Sequence, residues 1–332
     1  MTTNLILARY GMFGYQKEPI TPRVTKVYTG DRHVAVKKTS RHDIYPRFQM
    51  AYRLARIKKL HSIIPLYLTR EQELAVQING DWYYVMPWIE PPANSVPSIY
   101  PESFSELAAI HKKTSQVFPI DPHFYRKWIE TRRSQVDESF GWFEKKIGQV
   151  ENQHYMSPSG YQLCNLYPLF YDVCKKANRW YSRWYHCLSR EQKMRTVLCH
   201  GALSPSHILS SMQGPVFINW ESAHMGHPGE DLANLLRHSL ASPRPPFDHL
   251  ETGLEDYIHQ LSFKKSEISW AVLHLMHTDF FFKYVNQYFN QRDRYSEVNW
   301  VQRFERFRFY FSNLMTLEQK MDHILQNQRT DD

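Results

Sequence analysis

The sequence predicts an α+β chain, with a small strand-rich part over residues 1–90 and a larger, mostly helical part over residues 91–332. Two patterns carry this. Before residue 90 the strongest signals are short β-branched runs divided by turn residues, whereas from about residue 101 apolar residues recur at steps of three and four. Glycine is also scarce, 12 of 332 residues, which argues against a chain built only of sheets and turns. The length is too great for one small lobe and suits a small lobe joined to a larger one.

In chain order, Val24 to Tyr28, a turn at Gly30-Asp31, and His33 to Lys37 read as a β-hairpin. A helix over roughly Pro46 to Leu60 follows and contains no Asp or Glu. Asp81 to Met86 gives a further strand, and Pro87-Trp88-Ile89-Glu90-Pro91-Pro92 reads as a crossover into the helical part. There, Val136, Phe140, Phe143, Ile147 and Val150 form one apolar stripe, and Leu163, Leu166, Phe170, Val173, Ala177, Trp180, Trp184 and Cys187 form another. Such stripes are core rather than cofactor sites. A helix through Leu232 to Leu240 stops before Ser242-Pro243-Arg244-Pro245-Pro246, and two long helices are expected beyond it. The last, about Glu297 to Gln326, carries Trp300, Phe307, Leu314 and Met321 at seven-residue intervals. Glu318 interrupts that seam, which favours docking within the chain over a coiled coil.

Composition narrows the partners. Aromatic residues make up 15% of the chain, so Trp and Tyr faces must supply much of the packing. The formal charge of +8 fits an anionic partner or a solvated basic surface. Pairs such as Arg132-Arg133, Lys145-Lys146 and Lys175-Lys176 fall at outward helical positions without a nucleic-acid motif, so no nucleic-acid partner is expected. Cys164, Cys174, Cys187 and Cys199 lack metal-type spacing and read as reduced thiols. The N-terminus shows no signal-peptide pattern, and no apolar run is long enough for a transmembrane segment, which places the expected protein in a cytoplasm.

The chemistry concentrates between Val197 and Leu236, in His200-Gly201-Ala202, His207, Ile218-Asn219-Trp220 and Asp231-Leu232-Ala233. Upstream stands Val34-Ala35-Val36-Lys37, and Leu107-Ala108-Ala109-Ile110-His111 opens the helical part. In this order and spacing the chain resembles the aminoglycoside phosphotransferase and choline kinase superfamily, where His-Gly-Asp precedes Asn, Ile-Asp-Trp and Asp-Leu-Ala. The resemblance covers most of the chain and implies a protein-kinase-like two-lobe fold: an antiparallel β N-lobe with one helix, and a helical C-lobe. Within the superfamily, LCHGALSPSHIL and FINWESA are similar to the kinase-like spore coat proteins of endospore-forming bacteria, in particular their kinase branch. That implies other spore coat proteins as partners, and a place first in the mother-cell cytoplasm and then in the spore coat.

Against the superfamily pattern, the charge-handling positions are changed. In kinase-type sites an Asp accepts the hydroxyl proton, and Asn and Asp hold the metal against the phosphates. Ala202 has no proton acceptor, Asn219 offers a neutral amide oxygen, and His207 presents an imidazole ill-suited to Mg²⁺. The reading is therefore a catalytically inactive kinase-like protein, a pseudokinase, with no cofactor expected. Lys37 reads either as the lysine that would meet nucleotide phosphates or as an exposed strand end beside Lys38, and the following helix supplies only Gln49 where a Glu would hold it. With Lys37, Met86 and Trp88 are the nucleotide-binding candidates that the resemblance implies. Gly11 and Gly14 do not make a phosphate-cradling loop.

His200 is expected to brace the metal-binding strand and Asp231 to anchor the loop, both as structural residues. His224 and His227 lack a Cys or Asp to complete a tetrahedral metal set. Glu221 is the one carboxylate able to rescue a metal, or else a surface residue at a strand end. The alternative function is an active ATP-dependent small-molecule phosphotransferase holding Mg through Glu221, Glu230 or Asp231. A third is nucleotide binding without transfer.

Overall fold

A computed structural model describes residues 2–90 and 99–327. It opens with α1 (Thr2–Arg9), β1 (Gln16–Thr21), β2 (Val24–Tyr28), β3 (His33–Thr39), α2 (Ile44–Lys58), β4 (Val76–Ile78) and β5 (Asp81–Pro87). There follow α3 (Ile99–Thr114), β6 (Gln116–Pro119), α4 (His123–Glu151), α5 (Pro158–Asn165), α6 (Tyr167–Glu191) and β7 (Lys193–Cys199). Short strands β8 (Ile208–Ser211), β9 (Gly214–Phe217) and β10 (His224–Gly226) lead to α7 (Pro228–Leu240), α8 (Phe247–Leu261), α9 (Lys265–Leu275), α10 (Asp279–Asn290) and α11 (Glu297–Asn327). An antiparallel sheet followed by helices is the α+β class expected. Contacts divide the chain into two interleaved compact units: Met1–Ser115, Val197–Gly226 and Thr252–Leu261 form the first, and Gln116–Thr196, His227–Glu251 and Ser262–Asp332 the second. Pro91 and Pro92 of the expected crossover lie outside the described residues.

The first unit is organised by a five-stranded antiparallel sheet in the order β1-β2-β3-β5-β4. Gly30 turns β2 into β3 at φ +98°, a conformation that costs a side-chain-bearing residue steric strain. Strand alternation then sorts the faces. Val34 and Val36 of β3 point to one side and, with Val27, Val76 and Val85, bury Ile6, Leu7 and Tyr10 of and beside α1. Ala35, Lys37 and Thr39 point to the other. On that second face Phe48 of α2 meets Tyr84 edge-on at 5.0 Å. α1 is an addition to the expected strands; its apolar residues are few, and the sheet supplies the surface that makes a short helix stable.

Within the same unit, His111 of α3 is fully buried and its Nδ1 lies 2.7 Å from the Tyr257 hydroxyl. Thr114 Oγ1 accepts from the Leu198 amide at 3.0 Å, tying α3 to the strand that leads into the His200 loop.

The second unit is a helical assembly in which α6 lies against α4 and α9, and α11 runs along α5, α6, α7 and α9. The stripe expected as one helix from Leu163 to Cys187 is divided between α5 and α6. Pro168 explains the break, because a proline is accommodated in the first turn of a helix but not in its interior. Beyond the Ser242 to Pro246 breaker the described residues form four α-helices rather than two. Ser262, at φ +47°, separates α8 from α9 without any Gly or Pro to announce it.

Helix α11 docks within its own unit. Glu318, which interrupts its apolar seam, is 8% exposed and accepts from Trp180 Nε1 at 2.8 Å while pairing with Lys176. A polar residue in a core is tolerated when its oxygens are all engaged, and here the indole N–H and the ammonium engage them. None of the four cysteines forms a disulfide, and three of them are buried. Among the described residues no helix is long and apolar enough to cross a membrane.

Candidate functional site

The site grows from the second face of the sheet. The antiparallel register sets Lys37 opposite Tyr84 and Ala35 opposite Met86. Tyr84, Met86 and Trp88, spaced by two, therefore follow the row occupied by Lys37. Lys37 is 9% exposed, so the alternative of a solvated strand end does not apply. Its Nζ donates to Asn219 Oδ1 at 2.6 Å and lies 2.7 Å from Glu221 Oε1. Glu221 is held further by the Tyr84 hydroxyl at 2.7 Å on Oε1 and by the Thr39 hydroxyl at 2.9 Å on Oε2. The Tyr84 hydroxyl also reaches Asn219 Oδ1 at 3.5 Å.

Local backbone explains why these groups meet. β9 ends at Phe217, which is clamped to the segment after α2: its amide donates to the Ser62 carbonyl at 2.6 Å, and its carbonyl accepts from the Ile64 amide at 3.1 Å. The chain then leaves strand geometry at Asn219, φ +68°, and enters a short 3₁₀ turn over Trp220–Ser222. The expected Ile218-Asn219-Trp220 strand is therefore a bend, with Asn in the left-handed conformation that it tolerates better than most residues. That bend throws Glu221 back toward β3. α2, devoid of acids, and the loop before it contribute cations instead: Arg41 of the loop donates to Ser222 Oγ at 2.5 Å, and Arg47 of α2 to the carbonyls of Ser222 and Ala223, both at 3.2 Å.

The preceding loop is braced by histidine. His200 is fully buried; its Nε2–H donates to the Ile218 carbonyl at 2.7 Å, while Nδ1 accepts from the Ala202 amide at 3.3 Å. Gly201 sits at φ +77°, where an added Cβ would fall 2.4 Å from the Ser222 carbonyl oxygen, so this crossing needs glycine. Ala202 is exposed. His207 Nδ1 is 2.9 Å from the Ala202 carbonyl, and its ring stacks on His200 with centroids 5.3 Å apart.

Electrostatics follow from burial. Burial, the largest influence, lowers the Lys37 pKa, opposed by the neighbouring Glu221 carboxylate. Burial likewise pushes the Glu221 carboxyl up, but the Lys37 ammonium and the Lys37, Tyr84 and Thr39 hydrogen bonds outweigh it and hold the group below its ordinary value. His207 falls to about 4, through burial first and then the adjacent His200, so its imidazole is uncharged at neutral pH. Unfolded histidine takes its proton near pH 6.5, and the folded residue only near 4. Between those values the unfolded chain binds more protons, so the stability tied to His207 is full above about pH 6.5 and is lost as pH falls toward 4. His207→Asn should flatten part of the pH dependence of Tm across that window, measured by thermal denaturation from pH 7 to 4.5; an unchanged slope would contradict a half-buried imidazole held neutral.

Trp88, the other end of the row, is also engaged within the chain. Lys26 Nζ lies 4.9 Å from its ring centroid and 3.0 Å from Glu90 Oε1, and the Trp88 amide donates to the His33 carbonyl at 3.2 Å. Met86 is buried, 5% exposed. Asp231 is fully buried in the first turn of α7, in the second unit. His227 caps that helix, its Nδ1 accepting from the Gly229 amide at 3.0 Å. His224 lies in β10 with Nδ1 3.1 Å from the Ser222 carbonyl.

The structure thus brings Lys37, Asn219 and Glu221 into one group and His200, Ala202 and His207 into an adjoining one. Tyr84, Thr39, Arg41 and Arg47 were not legible as site residues. Thr39 stands two residues from Lys37 on the same strand face, which was the available signal. Among the potential ligand groups, Asn219 Oδ1 accepts from Lys37, both Glu221 oxygens accept hydrogen bonds, His207 presents nitrogen rather than the oxygen Mg²⁺ favours, and Ala202 has no side-chain ligand atom.

Residues 20–262 match the model of the phosphotransferase enzyme family, APH. An aminoglycoside phosphotransferase from Alicyclobacillus acidocaldarius subsp. acidocaldarius DSM 446 superposes with a TM-score of 0.71 at 16% identity, over 96% of each chain. Spectinomycin phosphotransferase APH(9)-Ia, in complex with ADP and spectinomycin, gives 0.57 at 13% identity, over 96% of this chain and 98% of that one. At these identities the likeness is one of fold, and it makes the architecture protein-kinase-like. Among curated proteins no match was found. With 243 residues (20 through 262) inside the family's model, the chain belongs to the phosphotransferase enzyme family.

Proposed function

We propose that this chain is a catalytically inactive member of its family, a pseudokinase that serves as a binding or assembly module of the bacterial endospore coat. The observation that carries the first half is the closed group of Lys37, Asn219 and Glu221: the one lysine placed for phosphates spends its charge on a carboxylate of its own chain. A positioned general base contributes about 10²- to 10⁴-fold, so Ala202 alone would leave a slow enzyme. Phosphoryl transfer rests mostly on positioning and electrostatic stabilisation, so an unsuitable metal set removes the larger remaining share. The coat assignment is supported by the similarity of LCHGALSPSHIL and FINWESA to kinase-like spore coat proteins, with other coat proteins as partners and the mother-cell cytoplasm as the site of synthesis.

The purified chain with ATP, Mg²⁺ and a panel of aminoglycoside and amino-alcohol acceptors is expected to release no ADP. The triple variant Ala202→Asp, His207→Asn, Asn219→Asp is expected to gain measurable turnover. Wild-type turnover that disappears in Glu221→Gln would establish the alternative, an ATP-dependent small-molecule phosphotransferase with atypical metal ligands. In a sporulating host, a fluorescent fusion should pass from the mother-cell cytoplasm to the spore surface; a signal that stays diffuse would remove the coat assignment.

A further inference from the structure

The corner between α10 and α11 holds an arginine that the chain leaves without an acceptor. Arg303 is half-buried, yet its guanidinium makes no hydrogen bond and no ion pair among the described residues. Other arginines at comparable burial spend theirs within the chain: Arg47 on two carbonyls, Arg183 on Asp322 and Arg308 on Glu305. A charge taken partly out of water without a hydrogen-bonded partner is costly.

Aromatic rings hold Arg303 instead. Its guanidinium carbon lies 4.1 Å from the Tyr295 centroid, 4.9 Å from that of Tyr284 and 5.9 Å from that of Trp300. These rings are fixed in turn: Trp300 is fully buried, meets Tyr295 edge-on at 5.1 Å and donates its Nε1–H to the Arg292 carbonyl at 2.9 Å. Stacking covers the flat face of a guanidinium and leaves the in-plane N–H groups at its edge. None of the Arg303 nitrogens is shut off from solvent, so that edge can be reached. Arg294, exposed, stands 5.7 Å from the same Tyr295 ring and donates to the neutral Gln291 at 3.1 Å. The acids of this corner neutralise neither arginine. Glu297 pairs with Arg292 at 3.6 Å and accepts from the Ser159 amide, Glu305 pairs with Arg308, and the exposed Asp293 pairs with neither Arg294 nor Arg303.

We propose that Arg303 and Arg294, gathered at Tyr295, form a binding site for a phosphate group, as inorganic phosphate or as a phosphate monoester. A guanidinium makes its strongest hydrogen bonds with oxyanions that match its fork. A phosphate monoester brings about −1.5 to −2 charge and three acceptor oxygens at neutral pH, which suits two cations at one ring better than the single charge of a carboxylate. All of these groups belong to the second unit, so the site stands or falls independently of the Lys37 group.

The test is calorimetric titration of the full chain at pH 7.5 and low ionic strength, since salt screens a partly exposed contact. The probes are inorganic phosphate and, separately, N-acetyl-O-phosphoserine amide, with N-acetylserine amide as the uncharged control. At least one phosphate probe is expected to bind with a Kd of about 1 mM or tighter. Equal affinity for the two would assign the site to the phosphate group alone, and a tighter ester would assign it to a phosphorylated side chain. Arg303→Gln should weaken binding at least about tenfold, and Arg303→Lys, which keeps the charge but loses the fork, should restore only part of it. Arg294→Gln, at an exposed position, should weaken binding about threefold with Tm unchanged. No heat at about 10 mM of either phosphate probe, a serine control that binds as tightly as the ester, or full affinity in a folded Arg303→Gln would overturn the proposal. Should Arg303→Gln fail to fold, as read by far-UV circular dichroism, full affinity in Arg294→Gln would overturn it equally.

Discussion

Glu221→Ala is expected to lower stability by about 3 kcal/mol, the lower end of what breaking one side of a buried ion pair costs. Lys37 and Glu221 keep only 11% and 13% of their side-chain surface exposed, so solvent screens the pair weakly. Removal of the carboxylate leaves the Lys37 ammonium with the Asn219 amide alone, strips the acceptor from the Thr39 hydroxyl and leaves the Tyr84 hydroxyl only its 3.5 Å contact with Asn219. Removing both charges together, as Lys37→Met with Glu221→Leu, should recover most of the loss, because a buried pair and well-packed apolar residues of similar size are often equivalent. Urea denaturation of the two variants measures both effects. The pH dependence has a fixed sign. The folded Glu221 carboxyl lies below its ordinary value, so the stability it confers is present above the unfolded Glu value, about 4.3, and is lost as pH falls through the folded one. The gap between wild type and Glu221→Ala should therefore close in acid. A loss under about 0.5 kcal/mol at pH 7 would mean that the pair behaves as an exposed one.

Phe281→Ala should cost about 3–5 kcal/mol, the range for deleting a buried phenyl ring. Phe281 is fully buried at the meeting point of the second unit's rings, with centroids 5.2 Å from Phe143, 5.0 Å from Phe170, 5.0 Å from Phe307 and 5.2 Å from Phe311. No neighbouring side chain can fill the space without breaking several edge-to-face contacts. Phe281→Leu, which keeps much of the volume, should lose clearly less. A cost below about 1 kcal/mol for the alanine variant, from urea denaturation, would show that these rings repack freely.

Local patterns were legible where one element's own residues decide the outcome. Val34-Ala35-Val36-Lys37 lies in β3, marked by β-branched content beside a turn although burial there runs through consecutive residues, and the stripe from Trp300 to Leu325 belongs to α11, where burial follows the helical period. The partner of Lys37 was not legible. It lies 184 positions away (221 minus 37), and its approach depends on a left-handed bend at Asn219 that only the folded loop reveals. The absence of an acid from α2 was a usable hint, since a buried lysine must find its carboxylate elsewhere. α1 escaped notice because its eight residues bury only Ile6 and Leu7, a signal too brief to show a period. The helices after Leu240 were undercounted because their boundaries at Ser262 and Thr278 rest on backbone turns without Gly or Pro.

Lys37 is paired with Asn219 and Glu221, and the central proposal is that this pairing keeps it from a metal-bound triphosphate. Calorimetric titration of MgATP into the wild-type chain at pH 7.5, beside Glu221→Gln, tests it most directly. The account predicts no binding at about 1 mM nucleotide to wild type, and a gain of affinity when Glu221→Gln frees the Lys37 ammonium. Tight, magnesium-dependent binding to the wild-type chain would contradict it.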